Sequence, residues 1–206
     1  MLSFAVRKLK AVAGIMITAS HNPKEYNGYK VYGEDGAQLS PEATAVVVER
    51  IKNVSDWFSV KAVEIKDNTA IALLSYVSGA VERSFYRHVR AQGLSPKAVK
   101  ETGKNIKIVY TSLHGTGYTP VTTVLSKMGI KAEVVQEQIP FDGNFPTVEV
   151  PNPEDKRALA MGIALAEKIK ADVVFGTDPD CDRLGVAVRN DKNEFVGLTG
   201  NQVGIL

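Results

Sequence analysis

Ala171-Asp172-Val173-Val174-Phe175-Gly176-Thr177-Asp178-Pro179-Asp180-Cys181-Asp182-Arg183 decides how the rest of the chain is read. The apolar run Val173-Val174-Phe175-Gly176 predicts a buried strand over residues 172–175, and three aspartates follow it at once. Upstream, residues 106–110 and 132–136 read as further strands, with helices expected over 117–128 and 154–170. Strands alternating with helices indicate a parallel sheet covered by helices. The fold class is therefore α/β, built of three-layer α/β/α domains with mixed, largely parallel sheets. In open sheets of this kind ligands bind outside the carboxyl ends of the strands, where the aspartate loop falls.

Outward from this core, residues 184–188 and 194–196 flank Asn190-Asp191-Lys192-Asn193 as a hairpin, and residues 200–206 start a further helix. Between residues 137 and 153 lie four prolines and no periodicity, which marks a functional or inter-domain loop. Leu73, Leu74, Val77, Val81, Phe85 and Val89 recur at helical spacing, so one long helix is expected over 69–92, stopped by Gly93. Nearer the N-terminus the reading is an amphipathic helix over 1–13 and a strand over 14–19. After a tight turn at Asn27-Gly28, Tyr29-Lys30-Val31-Tyr32 is the returning strand. Ser40-Pro41-Glu42 supplies an N-cap, a proline at the first helical position and an acidic first turn for a helix over 43–53. Residues 56–68 read as a connector with one short strand. Trp57 and Phe58 read as a packing anchor, since no basic residues interleave with them.

Asp178, Asp180 and Asp182 alternate at period two, so an extended loop would aim three mutually repelling carboxylates to one side. A hard divalent cation resolves that conflict, and oxygen-only ligation suits Mg²⁺. An EF-hand is excluded, because its sixth position would be Arg183 where glycine is required and its twelfth Arg189 where glutamate is required. Cys181 alternates away from the carboxylates and reads as a small packed side chain. A second loop, Thr18-Ala19-Ser20-His21-Asn22-Pro23, follows the apolar run Gly14-Ile15-Met16-Ile17 and offers the Ser20 hydroxyl as a phosphate carrier. His21 and Asn22 can hydrogen-bond phosphate, and the Asn27-Gly28 turn can fold Lys30 back towards Ser20 as a candidate acid/base. A hydroxyl and a cation site together point to phosphoryl transfer, in which positioning and charge stabilisation do most of the work.

The two loops resemble those of the α-D-phosphohexomutase superfamily, the phosphoglucomutases and phosphomannomutases. The resemblance extends through Glu25-Tyr26-Asn27-Gly28-Tyr29-Lys30, Leu113-His114-Gly115-Thr116-Gly117 and Gly200-Asn201-Gln202, in the expected order. Pro179 and Cys181 stand where many members have glycine, which resembles the branch that includes phosphoglucomutases and phosphopentomutases. The resemblance implies catalytic roles for Ser20, His21 and Lys30 and phosphate or substrate contacts from Asn22, Arg183 and His114. It implies one Mg²⁺ held by Asp178, Asp180, Asp182 and Ser20 as phosphoserine. It further implies transfer of a phosphoryl group within a hexose or pentose phosphate through a bisphosphorylated intermediate, with a sugar bisphosphate as activator of the full-length enzyme.

Superfamily members have four domains, and this chain matches the latter part of the first and most of the second. The expected organisation is 1–55 from an incomplete first domain with the serine loop, a connector over 56–68, a second domain over 69–198 with the metal loop, and the start of a third over 199–206. Such a fragment is expected to be inactive alone and to self-associate through its open first sheet. Two further readings are a non-catalytic binding or assembly module and, less well supported, a haloacid-dehalogenase-like phosphatase with an aspartate nucleophile. Composition narrows the partners. A net charge of +2 from 25 basic and 23 acidic residues has no long single-sign block, so neither nucleic acid nor a membrane surface is favoured over a phosphosugar. One cysteine allows no internal disulfide, and Arg7, Lys8 and Lys10 interrupt the apolar N-terminus, so a cytoplasmic location is expected.

Overall fold

In the computed structural model, which describes residues 1–62 and 72–206, contacts divide the chain into two units. One comprises Met1–Met16 and Lys30–Phe85, the other Ile17–Tyr29 and Tyr86–Leu206. The serine loop thus groups with the unit that carries the aspartates.

The first unit contains α1 (Leu2–Leu9), all but the loop-side end residues of β1 (Ala13–Ile17) and β2 (Tyr29–Gly33), and α2 (Pro41–Lys52), with β1 and β2 paired in a two-stranded sheet. Ser40 caps α2 as its sequence requires, its hydroxyl accepting the Ala43 N–H at 3.3 Å with Pro41 in the first turn. Phe4 meets Phe85 edge to face, with ring centroids 5.6 Å apart. Trp57 and Phe58 lie in a single 3₁₀ turn and are 63% and 99% exposed, so they do not form the expected packing anchor. The later part of the 56–68 connector, and the strand expected in it, falls partly outside the described residues.

The expected helix over 69–92 is shorter. Its first residues lie outside those described, residues 74–78 are irregular, and α3 spans Gly79–Ala91. Leu73, Leu74, Tyr76 and Val77 are exposed. No burial repays the ordering of this stretch, and Ser78-Gly79 are poor helix formers. A short helix absent from the sequence reading, α4 (Pro96–Thr102), follows.

The second unit is built on five strands: β3 (Ile108–Thr111), β4 (Ala132–Val134), β5 (Val173–Thr177), β6 (Leu184–Arg189) and β7 (Phe195–Leu198). Their order is β4-β3-β5-β6-β7. β3 runs parallel to both β4 and β5, while β5–β6 and β6–β7 are antiparallel. Side chains alternate across the sheet as period two demands. Val109, Val174 and Ala187 face one side with Leu159, Ala166 and Phe195. Ile108, Val173 and Val186 face the other, packed by Ile130, Leu198 and Val203. The remaining helices are α5 (Tyr118–Lys127), α6 (Ala160–Ile169) and α7 (Gly200–Ile205). Apolar layers on both faces make this a three-layer unit with a mixed sheet.

α6 starts six residues later than the expected helix over 154–170. Asn152 and Asp155 side chains accept the backbone N–H groups of Glu154 and Arg157 at 3.1 and 2.9 Å, holding turns that compete with helix. This irregular stretch docks on the bare backbone that a pair of glycines leaves on one face of the sheet. Gly176 and Gly185 are cross-strand partners, and a Cβ on Gly185 would run into the backbone of Pro153, while one on Gly176 would strike Leu159. Pro153 itself is fully buried. Gly185→Ala is therefore expected to destabilise the folded chain by about 1–3 kcal/mol through overpacking, read as a lower denaturation midpoint in urea at unchanged slope.

Candidate functional site

Strand β5 delivers Asp178 fully buried to the start of the loop. Its Oδ1 accepts the backbone N–H groups of Asp182 at 3.0 Å and Arg183 at 2.9 Å, and its own carbonyl accepts the Cys181 N–H at 2.9 Å. The loop is therefore a tight turn rather than the extended segment expected from period two, with Cys181 in the left-handed region at φ 60°. It curls around the first carboxylate. That curl brings ligand oxygens of Asp178, Asp180 and Asp182 within 4.8 Å of one another, the one such group among the described residues. Burial, followed by the hydrogen bond and like charge of Asp180, pushes the Asp178 carboxyl up to about 6, against the backbone and Ser20 donors that pull it down. All three donors are hard carboxylate oxygens, so the set fits a divalent cation of the magnesium or calcium type.

Thr18 and Gly28 close the base of the serine loop, where the Thr18 N–H donates to the Gly28 carbonyl at 2.9 Å. Ser20 stands at φ 55° with its N–H on Thr18 Oγ1 at 2.8 Å. From there the Ser20 hydroxyl donates to Asp178 Oδ2 at 2.8 Å, and His21 Nδ1 lies 3.2 Å from the same hydroxyl oxygen. A bond across 158 positions of sequence unites the two loops. Asn22 is exposed beside them. Lys30 lies half-buried on β2 and belongs to the first unit. Arg183 reaches Asp178 through its backbone, while its guanidinium lies 4.0 Å from Glu154 with both side chains substantially exposed.

His114 is almost fully buried, and both ring nitrogens are engaged within the protein. Nδ1 donates to the Pro140 carbonyl at 2.9 Å, and Nε2 shares a hydrogen bond with Thr147 Oγ1 at 2.9 Å. Thr147 in turn accepts from Gln138 Nε2 at 2.9 Å, and Gln138 Oε1 accepts the hydroxyl of Thr111 at the end of β3. The ring thus holds residues 137–153 against the sheet. Sequence reading missed Gln138, Thr147 and Thr111, because nothing local distinguishes buried amides and hydroxyls from ordinary loop residues. It also missed the Tyr110 phenol, which shares a 2.8 Å hydrogen bond with Thr177 and is pushed upward in pKa chiefly by burial. In the same turn Thr116 donates its N–H and hydroxyl to the Pro179 carbonyl, between two of the aspartates.

Comparison with known proteins gives two family matches. Residues 83–192 match "Phosphoglucomutase/phosphomannomutase, alpha/beta/alpha domain II" and residues 1–56 match the corresponding domain I. The whole chain is 40% identical over 206 residues to a phosphoglucomutase of Staphylococcus saprophyticus and 41% identical over 210 residues to one of Staphylococcus aureus strain USA300. It spans 36% of the length of each of these relatives. Among solved structures, a candidate phosphomannomutase from Thermus thermophilus superposes with a TM-score of 0.68 at 27% identity, over 94% of this chain and 40% of that one. A Burkholderia thailandensis phosphoglucomutase/phosphomannomutase family protein has a TM-score of 0.59 at 21% identity, over 89% of this chain and 34% of that one, and shares the fold.

The raised Asp178 sets a pH dependence. Its folded value of about 6 exceeds the ordinary unfolded carboxylate value of about 3.9. Between these the folded state binds more protons, so the stability contribution is fully present below about pH 4 and lost as pH rises through about 6. In chelator-treated protein, the melting temperature of the wild type relative to Asp178→Asn is expected to fall from pH 4.5 to pH 7. A constant difference across that range would contradict the assignment.

Proposed function

The chain belongs to the phosphoglucomutase/phosphomannomutase family, and from that membership we propose that it carries the phosphoserine and metal half of a phosphosugar mutase site. The observation that carries this reading is the Ser20 hydroxyl hydrogen-bonded to Asp178 at the edge of a three-carboxylate group. In the proposed reaction a phosphoryl group passes between Ser20 Oγ and a sugar hydroxyl. The P–O bond to one oxygen forms as that to the other breaks, and the proton moves in the opposite sense. Asp178, Asp180 and Asp182 would hold Mg²⁺, which when bound supplies positive charge to the transferring oxygens.

The chain's own residues prepare that transfer. The left-handed turn at Ser20 projects Oγ out of the loop, and its bond to Asp178 fixes the rotamer. His21 Nδ1, 3.2 Å from Oγ, is placed to donate to the same oxygen, and Asn22 is exposed where a phosphate could meet it. Lys30 is proposed as the acid/base that exchanges a proton with the sugar hydroxyl, an activity that requires its ammonium to be partly desolvated. Arg183 is proposed to meet the substrate phosphate with its exposed guanidinium while its N–H holds Asp178, and His114, whose ring is engaged by Pro140 and Thr147, contributes by shaping the loop. The phosphosugar itself, a hexose or pentose phosphate, and a sugar bisphosphate activator are carried over from the resemblance.

Two measurements test the reading. Calorimetric titration with Mg²⁺ or Mn²⁺ is expected to show one weak site per chain, lost in Asp180→Asn. Prolonged incubation with glucose 1,6-bisphosphate and Mg²⁺, which asks for a single slow half-reaction and not for the mutase turnover the chain is expected to lack, is expected to leave one phosphate on Ser20, found by peptide mass spectrometry, stable to hydroxylamine and absent from Ser20→Ala. A hydroxylamine-labile phosphate on an aspartate would replace this reading with the phosphatase one.

A further inference from the structure

Between Asp178 and Asp180 stands Pro179, which has no amide hydrogen and so cannot anchor the loop as a donor. Its carbonyl oxygen is gripped from outside. Thr116 donates both its backbone N–H, at 2.8 Å, and its hydroxyl, at 3.0 Å, to that single oxygen. Beside it Gly115 lies so close that a Cβ would meet the Cα, carbonyl carbon and oxygen of Pro179. The turn that makes this grip is itself anchored. The Gly115 N–H donates to the Ser112 carbonyl at 2.8 Å and the His114 N–H to the Gln138 carbonyl at 3.0 Å.

We infer that Thr116 is a positioning residue for the divalent cation, its hydroxyl fixing the Pro179–Asp180 peptide and so the direction in which Asp180 presents its carboxylate. The inference rests on the proposed reading of the three aspartates as cation ligands. A peptide unit is planar, so holding its carbonyl oxygen also sets the orientation of the Asp180 N–Cα bond. Two donors on one carbonyl occupy both of its lone pairs and restrict rotation about the chain in two directions at once. Thr116 is otherwise exposed, and an exposed hydroxyl with no such task would simply face water. Its contact with the cation site is indirect, through backbone alone.

Mn²⁺ titrations of the 206-residue chain by calorimetry and by electron paramagnetic resonance, beside thermal melts, separate the possibilities. Thr116→Val keeps the side-chain shape and the backbone bond but removes the hydroxyl. It is expected to weaken Mn²⁺ binding roughly three- to tenfold, the range set by one net hydrogen bond, with a melting temperature within about 4 °C of wild type. Thr116→Ser, which keeps the hydroxyl, is expected to bind as wild type does. Unchanged affinity in Thr116→Val, or an equal loss in Thr116→Ser, overturns the positioning role if Asp180→Asn still abolishes binding. Absent binding by wild type, or full binding by Asp180→Asn, overturns the cation reading and this inference with it.

Discussion

The site depends on how one buried carboxylate is satisfied. Asp178 is fully removed from solvent, and its two oxygens receive donors from different parts of the chain, Oδ1 from the Asp182 and Arg183 amides and Oδ2 from the Ser20 hydroxyl. A buried carboxylate left without such donors would be costly, so the curled aspartate loop and the docked serine loop are the two halves of its solvation. The carboxyl still sits high, at about 6, because burial first, and then the hydrogen bond and like charge of Asp180, favour its protonated form. Local folding creates a charge imbalance that these residues alone do not remove.

The surroundings make that curl possible by close backbone approach. Gly176 and Gly185 face each other across β5 and β6 and open the slot that Pro153 fills, which brings the irregular segment before α6 onto the sheet. That segment and the turn after β3 are joined by polar groups that leave little unsatisfied, running from Thr111 through Gln138 and Thr147 to His114. Chains of this kind rigidify a loop when every member is paired. Gly115 and Thr116 then carry the anchored turn against Pro179, so the aspartate loop is braced from behind by a structure 63 residues earlier in sequence.

Much of this was legible in the sequence, for identifiable reasons. The strands of the second unit are short apolar runs between turn residues, and their alternation with helices gives the parallel core of the sheet, though not its strand order or the antiparallel pairing of β5 with β6. Ser40-Pro41-Glu42 marks the start of α2 because capping is a local interaction. Ser20 and the three aspartates stand out because their chemistry is dense in a few positions. The helix ends were less legible where side chains compete with the backbone, as Asn152 and Asp155 do before α6. Helical spacing also overextended the helix ending at Ala91, because periodicity records which residues could share a buried face and not whether anything buries it. His114 resembled a site residue by type and position, yet only its three-dimensional partners reveal where both ring nitrogens are spent.

On the proposed reading, the Ser20–Asp178 bond has a further physical consequence. In the unmodified chain the hydroxyl donates to Asp178 and helps to hold its negative charge. A phosphoryl group on Ser20 Oγ would remove that donor and place about 1.5 to 2 negative charges beside a carboxylate already raised by its neighbours. The two states of the serine therefore differ in the sign of their interaction with Asp178, attractive before modification and repulsive after it. A divalent cation between them would reverse the repulsion, because the same oxygens that oppose one another without it become ligands of a common charge. Phosphorylation and cation binding should thus strengthen one another by equal factors, as linkage requires of any two ligands of one site. Asp180 and Asp182 give that coupling its selectivity for a hard ion, and the curl around Asp178 keeps the three carboxylates close enough to share it.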